Sequence, residues 1–448
     1  MKTVHLFGTD GIRAKAYQPP LDKEDLSRIG LALARQIKET SGNDLPRVVL
    51  AQDTRESSPF IEEILTSTLQ GQGIAVTRFG VLPTPALAFL TQKTGADRGI
   101  MITASHNPYE DNGIKIVDAQ GFKIREKEER QIEDIFSQTS SSSFVSSDFS
   151  AQSSPEALSL YLDFLKAQVQ GKSPKSVVID CANGAASVIP LDFYESLAER
   201  VFVYNTSPNG KNINADCGAM HPEFLAEKVR EHKADMGVSF DGDMDRCVFC
   251  DEAGSIVDGD KVLGYFAVEL KKRGELHKDT TLLTLYSNSA LESYLKEQGI
   301  SVLRTECGDK YIGWQICDHA YSFGGESSGH IIFGNQARSG DGLLSLIQLL
   351  NYSGTSPISE ISSLFDLNPQ VNLTLQSSSK VSLDDLPQTH ALVQGYRTEF
   401  GDDGQIIVRP SGTEPKWRIT VENHHPETVQ SVANAVYESL SRELEARQ

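Results

Sequence analysis

Cysteine is scarce in this chain of 448 residues, which contains six. Their spacing follows no disulfide framework, and this is typical of proteins that work in a reducing compartment. No run of about 18 apolar residues occurs, so no membrane span is predicted. A charge and two glycines interrupt the N-terminal apolar stretch, which argues against a signal peptide. We therefore expect a cytoplasmic protein that does not act at a membrane.

Positive charge is also in short supply. Lysine and arginine total 42 against 61 aspartates and glutamates, which leaves a formal net charge of −19. This balance argues against nucleic acid or an anionic membrane as the main partner. Any anion site must therefore be built locally from a few focused donors. The length predicts about three or four domains.

Helix and strand patterns alternate along most of the chain. Predicted helices at 21–38 and 58–70 are interleaved with predicted strands at 47–51, 74–79 and 99–103. Two further cycles follow, with predicted strands at 177–180, 236–240, 282–286 and 300–305 and a short helix at 291–297. Alternation of this kind favours α/β units with helices packed on the faces of a sheet.

The C-terminal part has a different pattern. Strands are predicted at 371–375, 405–409 and 418–422, followed by an amphipathic helix at 427–445. A serine-rich stretch at 137–154 is poor in apolar residues and is interpreted as a linker or long loop. The predicted domains are 1–145, 155–252 and 253–365, all α/β, and a smaller α+β domain at 368–448.

The first polar loop with chemical potential follows the strand predicted at 99–103. The strand runs into Ser105, His106 and an Asn-Pro pair that stops it, which presents the serine hydroxyl at a strand end. A serine needs an activating neighbour to act as a nucleophile. His106 is adjacent, and we expect a turn at Asn112–Gly113 to bring Lys115 back. The alternative is an ordinary turn with solvated polar residues.

The second loop is DGDMDR at 241–246. Asp241, Asp243 and Asp245 alternate after an apolar strand, and carboxylates this close repel one another unless a cation neutralises them. An oxygen-only ligand set suits Mg²⁺. A solvated acidic turn is the alternative, and the flanking apolar strands argue against it.

Two further loops have the composition of ligand-binding segments. GGESSGH at 324–330 combines glycines with Glu326, Ser328 and His330, an inventory that fits a polyhydroxylated ligand. RPSGTEP at 409–415 offers the fork of Arg409 and a polar concavity suited to phosphate, formed by Ser411, Gly412 and Thr413. Each could instead be a polar turn. FGTDGIR at 7–13, with Arg13, is a weaker candidate phosphate contact.

These five segments, in their order along the chain, resemble those of the α-D-phosphohexomutase superfamily. The stretches NGKNINADCG, VDGD at 257–260 and SGDG at 339–342 are similar to the branch that acts on glucosamine phosphates. The resemblance implies four domains around a central cleft, three of related α/β design and a smaller fourth. It also implies a reaction in which one phosphoryl group moves between O6 and O1 of a hexose through a phosphoserine and a bisphosphate.

Residue roles follow from the same resemblance. The implied ligands of Mg²⁺ are Ser105, as phosphoserine, and Asp241, Asp243 and Asp245. The implied groups around the transferring phosphoryl are Arg13, His106 and Arg246, and the implied proton-transfer candidates are Lys115 and His330. The implied contacts to sugar hydroxyls are Glu326 and Ser328. The implied contacts to the phosphate that does not react are Arg409, Ser411, Gly412 and Thr413. A glucose or glucosamine bisphosphate would serve as activator or intermediate.

Substrate choice stays open at this stage. Ser327 stands where mannose- and glucose-phosphate mutases often have methionine, which favours glucosamine. Three features depart from the superfamily pattern: Met244 in the metal loop, Lys310 in place of an arginine, and the stretch AKAYQPP after Arg13. Because lysine cannot make the bidentate phosphate contact of arginine, Lys310 weakens the prediction of ligand recognition at that point. A Mg²⁺-dependent phosphatase and an inactive sugar-phosphate-binding protein are the competing classes, and a homodimer is left open.

Overall fold

The structure is a computed structural model that describes residues 5–139, 152–377, 381–401, 404–410 and 416–447. Most of the serine-rich segment predicted as a linker lies outside these ranges. So do Ser411, Gly412 and Thr413 of the predicted phosphate loop. Within the ranges described, no helix is both long enough and apolar enough to cross a membrane.

The first unit is built on a seven-stranded sheet in the order β1-β2-β6-β5-β3-β4-β7. Its strands are β1 (Phe7–Gly8), β2 (Gly11–Lys15), β3 (Arg47–Gln52), β4 (Ala75–Val81), β5 (Arg98–Ile102), β6 (Asp111–Asp118) and β7 (Gln152–Ser153). Its helices are α1 (Lys23–Thr40), α2 (Ser58–Gly71), α3 (Thr84–Thr94) and α4 (Glu126–Gln138). The prediction of a linker at 137–154 was wrong at both ends, because α4 extends to Gln138 and β7 pairs with β4.

The second and third units have sheets ordered β12-β11-β10-β8-β9 and β14-β13-β15-β16. The elements of the second are α5 (Ala157–Lys166), β8 (Ser173–Asp180), α6 (Leu191–Leu197), β9 (Ala198–Tyr204), α7 (Pro222–His232), β10 (Met236–Phe240), β11 (Cys247–Asp251) and β12 (Ile256–Val257). Those of the third are α8 (Gly259–Lys272), β13 (Thr280–Thr284), α9 (Ser289–Glu297), β14 (Ser301–Thr305), α10 (Asp309–His319), β15 (Phe323–Gly325), β16 (Ile331–Phe333), α11 (Gly342–Ser353) and α12 (Ser359–Ser362).

The three α/β units share one strand plan, and it positions the site. In each unit a central strand (β3, β8 or β13) has parallel neighbours on both sides. One of those neighbours (β5, β10 or β15) is followed by an antiparallel return strand (β6, β11 or β16). The loops that join these pairs carry Ser105, the three aspartates and Glu326. In each of the three α/β units these residues therefore lie at the same topological position, at the carboxyl end of a parallel strand.

The fourth unit is smaller and antiparallel. Its elements are β17 (Gln370–Gln376), α13 (Pro387–Phe400), β18 (Gly404–Pro410), β19 (Lys416–Asn423) and α14 (Pro426–Glu445), with β19 in the centre of the sheet. It has its own core around the fully buried Trp417. The predicted class, three α/β units plus a smaller α+β unit, is confirmed.

Helix α1 shows how local pattern and packing agree. Its apolar stripe, Leu26, Ile29, Leu33 and Ile37, is buried against the first sheet, as the 3.6-residue period predicts. Asp22 caps its start, because its side chain accepts from the amide of Asp25 at 2.8 Å. A second core runs without interruption from the other face of the first sheet through the second and third units. The three α/β units therefore pack against one another around the loops described next.

Candidate active site

Ser105 lies three residues after β5 in a left-handed conformation, with φ of +55°. This backbone conformation is uncommon for a residue with a side chain and is concentrated at functional sites. The hydroxyl is buried and donates to Asp241 Oδ2 at 2.6 Å, and His106 Nδ1 lies 3.4 Å from Ser105 Oγ. The structure thus brings the predicted phosphoserine to the predicted metal loop of the second unit.

An arginine that the sequence patterns did not single out holds the serine loop. The side chain of Arg55 is fully buried, and its Nη2 donates to the carbonyl oxygens of Ser105 and Asn107 at 2.9 and 2.8 Å. Its Nε donates to Asp53 at 2.9 Å. Asn214, from the second unit, also donates to the carbonyl of Ser105 at 2.9 Å. The signal in the sequence was an Asp-Thr-Arg run at the end of a predicted strand.

The three aspartates form one buried cluster. Asp241, Asp243 and Asp245 each offer an oxygen within 4.8 Å of the others. Asp243 Oδ1 and Asp245 Oδ1 are buried without a hydrogen-bond partner in the part of the chain that the structure describes. Burial, with repulsion from Asp245 and Asp243, raises the pKa of Asp241 well above its usual value. Unpaired carboxylate oxygens in a hard-oxygen set are what a bound Mg²⁺ would satisfy, so the residues fit this ion.

Glycine and methionine in the metal loop have steric roles. A Cβ on Gly242 would lie 2.5 Å from the carbonyl oxygen of Ser105, so only glycine lets the two loops approach this closely. Met244 adopts φ of +60° and is fully buried in the core shared by the three α/β units. Met244, noted above as a departure from the superfamily pattern, therefore packs its side chain into the core beneath the metal loop.

Lys115 reaches the aspartate cluster by a different path from the one predicted. Asn112 and Gly113 do not form a turn, because both lie within β6, where Lys115 pairs with Met101 of β5. Its ammonium is 2.8 Å from both Asp243 Oδ2 and Asp245 Oδ2 and 3.2 Å from Asp10. Burial alone lowers the pKa of Lys115, but the three carboxylates outweigh it and hold the pKa well above its usual value.

Alternating charges link Lys115 to His330 through three residues that the sequence patterns did not indicate. Asp10 contacts both Lys115 and Lys123, and Lys123 lies 2.6 Å from Asp309. Asp309 Oδ2 is 3.2 Å from His330 Nε2, and His330 Nδ1 is 3.7 Å from the metal loop, at Asp245 Oδ1. Burial opposes the charged imidazole, but Asp309 and Asp245 raise its pKa. The two predicted proton-transfer groups thus belong to one network across three units.

Arg13, His106 and Arg246 are half-buried residues near the serine loop. Arg246 Nη1 is 3.4 Å from His106 Nδ1, and Arg13 Nη1 is 3.5 Å from Asn107 Oδ1. Burial and the charges of Arg246 and Arg13 lower the pKa of His106 to about 4. The Nε atoms of Arg13 and Arg246 have no hydrogen-bond partner among the described residues. Two such donors beside a buried hydroxyl suit a doubly charged phosphoryl group.

Thr84 is a further contact that the sequence did not indicate. It begins α3, and its Oγ1 donates to Asp243 Oδ2 at 2.5 Å while its amide donates to the carbonyl of Asp243 at 3.0 Å. The helix of the first unit therefore fixes the middle carboxylate of the metal loop.

The predicted sugar loop closes over the strand that follows the metal loop. Cys247 of β11 donates its amide to the carbonyl of Gly329 at 3.1 Å. A Cβ on Gly329, which has φ of +89°, would meet the carbonyl of Cys247 at 2.1 Å. Glu326 accepts from the amide of Gly308 at 3.2 Å and from Ser328 Oγ at 3.3 Å. The exposed Ser328 and the half-buried Glu326 are thus accessible to a ligand.

The structure describes two further residues discussed as ligand contacts, Arg409 and Lys310. Arg409 is described, and its Nε donates to the Tyr286 hydroxyl at 2.9 Å. Lys310 is buried and lies 3.0 Å from Glu129 of α4, so in this chain it joins the first and third units. Tyr311 also donates to Glu126 at 2.7 Å, so α4 has a second polar contact with the third unit.

A buried serine facing a carboxylate triad, in a fold of three α/β units and one α+β unit, defines the class of the phosphohexomutases. The family profiles of phosphoglucomutase/phosphomannomutase alpha/beta/alpha domains I, II and III match residues 4–143, 159–254 and 258–368. The profile of the C-terminal domain matches residues 371–439. The chain belongs to the phosphoglucomutase/phosphomannomutase family.

Individual proteins within this family show which members the chain is similar to. A protein of Desulfotalea psychrophila called phosphoglucosamine mutase is 38% identical over 445 residues, covering 98% of each chain. One of the same name from Myxococcus xanthus is 38% identical, covering 98% of this chain and 97% of that one. Among solved structures, a phosphoglucomutase/phosphomannomutase family protein of Burkholderia thailandensis superposes with a TM-score of 0.81 at 22% identity, covering 98% and 97%. N-acetylphosphoglucosamine mutase of Aspergillus fumigatus, in complex with GlcNAc-6P and magnesium, gives 0.64 at 16% identity, covering 98% and 96%.

Proposed function

We propose that this chain interconverts glucosamine 6-phosphate and glucosamine 1-phosphate through a phosphoserine at Ser105 and a sugar bisphosphate. The observation that carries the proposal is the 2.6 Å hydrogen bond from Ser105 Oγ to Asp241 Oδ2, which joins the serine loop to the metal loop. The relatives named phosphoglucosamine mutase, similar over nearly the full length, support this choice of substrate.

Asp241, Asp243 and Asp245, with an oxygen of the phosphorylated Ser105, would hold Mg²⁺. Asp243 Oδ1 and Asp245 Oδ1, which are buried and accept no hydrogen bond from the residues that the structure describes, support this assignment. When bound, the ion supplies positive charge that stabilises the phosphoryl group during transfer. Arg13, His106 and Arg246, which lie around the serine, would contact the same phosphoryl group.

The two half-reactions balance without any net change in the enzyme. In the first, a sugar hydroxyl oxygen forms a bond to phosphorus, the bond from phosphorus to Ser105 Oγ breaks, and the hydroxyl proton ends on Ser105 Oγ. In the second, Ser105 Oγ attacks the other phosphate of the bisphosphate, and its proton moves to the departing sugar oxygen. Lys115 and His330, which both contact the metal loop, are the proposed proton carriers.

Transfer at two positions of one hexose needs a second site for the phosphate that is not reacting. We assign this site to Arg409 with Ser411, Gly412 and Thr413, and the recognition of sugar hydroxyls to Glu326 and Ser328. The Nη1 and Nη2 atoms of Arg409 would engage the phosphate while its Nε is held by Tyr286. We also propose a cytoplasmic location and a role in UDP-N-acetylglucosamine synthesis.

Assays with the 1- and 6-phosphates of glucosamine, mannose and glucose test this proposal. We expect kcat/KM to be highest for glucosamine phosphates. A preference for mannose or glucose phosphates would favour a phosphomannomutase or phosphoglucomutase, for which the family membership is an equal support. Release of inorganic phosphate in step with turnover would indicate a phosphatase instead.

A further inference from the structure

Glu422 is a fully buried carboxylate that joins two units of the chain. It lies on β19, the central strand of the fourth unit, and its Oε1 accepts from the amide of Ser289 at 2.7 Å and from the Ser289 hydroxyl. Ser289 is the first residue of α9 in the third unit. Its amide has no partner inside the helix, so Glu422 satisfies a donor that would otherwise be unpaired.

The second oxygen of Glu422 is held by its own sheet. Gln405 on β18 donates to Oε2 at 3.1 Å, and Gln370 on β17 lies 3.4 Å from the same atom. These two residues are the direct neighbours of Glu422 across the sheet. The carboxylate is thus oriented by all three strands, and the partial positive charge at the start of α9 complements it.

The segment before α9 also contacts both ends of β18. Gln405 donates to the carbonyl of Ser287 at 3.1 Å, and Arg409 donates to the hydroxyl of Tyr286 at 2.9 Å. Four residues separate these positions, which corresponds to about 13 Å along a strand. Strand β18, which leads into the proposed phosphate loop, is therefore hydrogen-bonded to residues 286 and 287 near both of its ends.

The connection between the two units is pinned at the same place. Asn368, just before β17, donates its amide to Asn288 Oδ1 at 3.1 Å and accepts from Asn288 Nδ2 at 3.0 Å. Its own side chain donates to Ser289 Oγ at 2.8 Å. The start of α9 therefore contacts both Glu422 and the segment that leads into β17.

We propose that Glu422 is a positioning residue for phosphate recognition. Its carboxylate holds the fourth unit against α9, and this sets where Arg409 stands relative to Glu326 and Ser105. The inference rests on the proposed function in one respect, the assignment of the non-reacting phosphate to Arg409. Loss of the contact between Glu422 and Ser289 is expected to weaken sugar-phosphate binding more than phosphoryl transfer.

The test compares Glu422→Ala and Glu422→Gln with Glu443→Ala. Glu443 is the matched control, because it accepts from the amides of Gln388 and Thr389 at the start of α13 but stays within the fourth unit. We expect Glu422→Ala to raise KM for glucosamine 6-phosphate by about 10-fold or more with a smaller change in kcat. Hydrogen exchange of a peptide that contains Ser289 should accelerate in the same variant. Glu422→Gln keeps one of the two acceptor oxygens, which can still accept from Ser289, and should recover part of both losses.

Each outcome decides the matter. Unchanged hydrogen exchange at Ser289 in Glu422→Ala would show that Glu422 does not hold the start of α9, whatever the activity. Faster exchange with an unchanged KM would show a contact without a positioning role. An equal rise in KM in Glu443→Ala would point to general destabilisation of the fourth unit. If the unmodified chain turned over no hexose phosphate, the proposed function would fail, while the exchange measurement would still report on the contact between Glu422 and Ser289.

Discussion

Ser105 Oγ and Asp241 Oδ2 are 2.6 Å apart although 136 positions separate the two residues. One follows a strand of the first unit, and the other follows the equivalent strand of the second. The contact depends on Gly242, whose missing side chain leaves room for the Ser105 carbonyl. The candidate nucleophile and the candidate metal ligands therefore meet only because the two sheets present their loops toward each other.

Ser105→Ala is expected to abolish mutase activity, by at least about 10³-fold, because the variant lacks the hydroxyl that would carry the phosphoryl group. Intact mass before and after phosphatase treatment should show one phosphate on the unmodified chain and none on the variant. Ser159→Ala, in the exposed start of α5, is the control and should keep both activity and phosphate. Phosphate found on another residue would contradict the assignment of Ser105.

Asp243→Asn is expected to weaken Mg²⁺ binding, because it removes one charge from the cluster of three carboxylates. Calorimetric titration of the metal into the protein measures this without any assay of turnover. The Mg²⁺ concentration for half-maximal activity should rise in parallel. Asp44→Asn, at an exposed position, should bind the metal normally. Equal affinity in both variants would mean that the ion binds elsewhere.

Arg55→Met is expected to lower the free energy of unfolding by about 3–5 kcal/mol, because it leaves Asp53 as an unpaired buried charge. The carbonyls of Ser105 and Asn107 also lose a donor. Arg35→Met, which removes an exposed pair with Glu39, should change stability little. Denaturant unfolding of the two variants provides the comparison, and similar values would show that Arg55 does not clamp the serine loop.

Lys123→Met is expected to reduce kcat by about 10- to 100-fold, because Asp10 and Asp309 lose the cation between them and no longer hold Lys115 and His330 in place. Lys123→Arg should restore part of the rate, since it keeps the charge. Lys127→Met, on the exposed side of α4, serves as the control. Steady-state kinetics of the three variants would settle whether the network matters, and a normal kcat in Lys123→Met would exclude it.

Asp260 makes stability depend on pH in a predictable direction. Burial, together with the charges of Asp258 and Glu422, raises its pKa from 3.8 to about 7. Folding therefore disfavours the ionised form of this carboxyl and favours the protonated form. Its contribution to stability is full below about pH 4 and is lost as the pH rises toward 7.

Asp260→Asn is expected to remove this dependence, because the side-chain amide that replaces the carboxyl does not ionise. Its oxygen can still accept from the amide of Asn288, as Asp260 does at 2.8 Å. The melting temperature of the variant should gain on that of the unmodified chain as the pH rises from about 4 to about 8. Asp44→Asn should follow the unmodified chain throughout. Parallel curves for the unmodified chain and Asp260→Asn would show that Asp260 titrates normally.

The family and the fold class were predictable from the sequence, because strand patterns and five polar loops with distinctive composition lie in a fixed order along the chain. The helix predicted at 21–38 and the strand predicted at 236–240 are confirmed as Lys23–Thr40 and Met236–Phe240. The route of Lys115 was predicted wrongly, since Asn-Gly was interpreted as a turn where the chain is extended in β6. The assigned roles of the site residues and the domain limits stay predictions.

The sequence by itself determined which side chains are available for chemistry, since the hydroxyl, the three carboxylates and the phosphate-binding groups each lie within one short segment. Only the tertiary structure decided which of them meet, and through which partners. Lys123 and Asp309 carry no local pattern, Asp10 lies in the segment FGTDGIR without an assigned role, and Glu422 is one of several polar residues along β19. Their roles arise from contacts between distant units, where burial makes each paired charge matter, and no local sequence rule encodes those contacts.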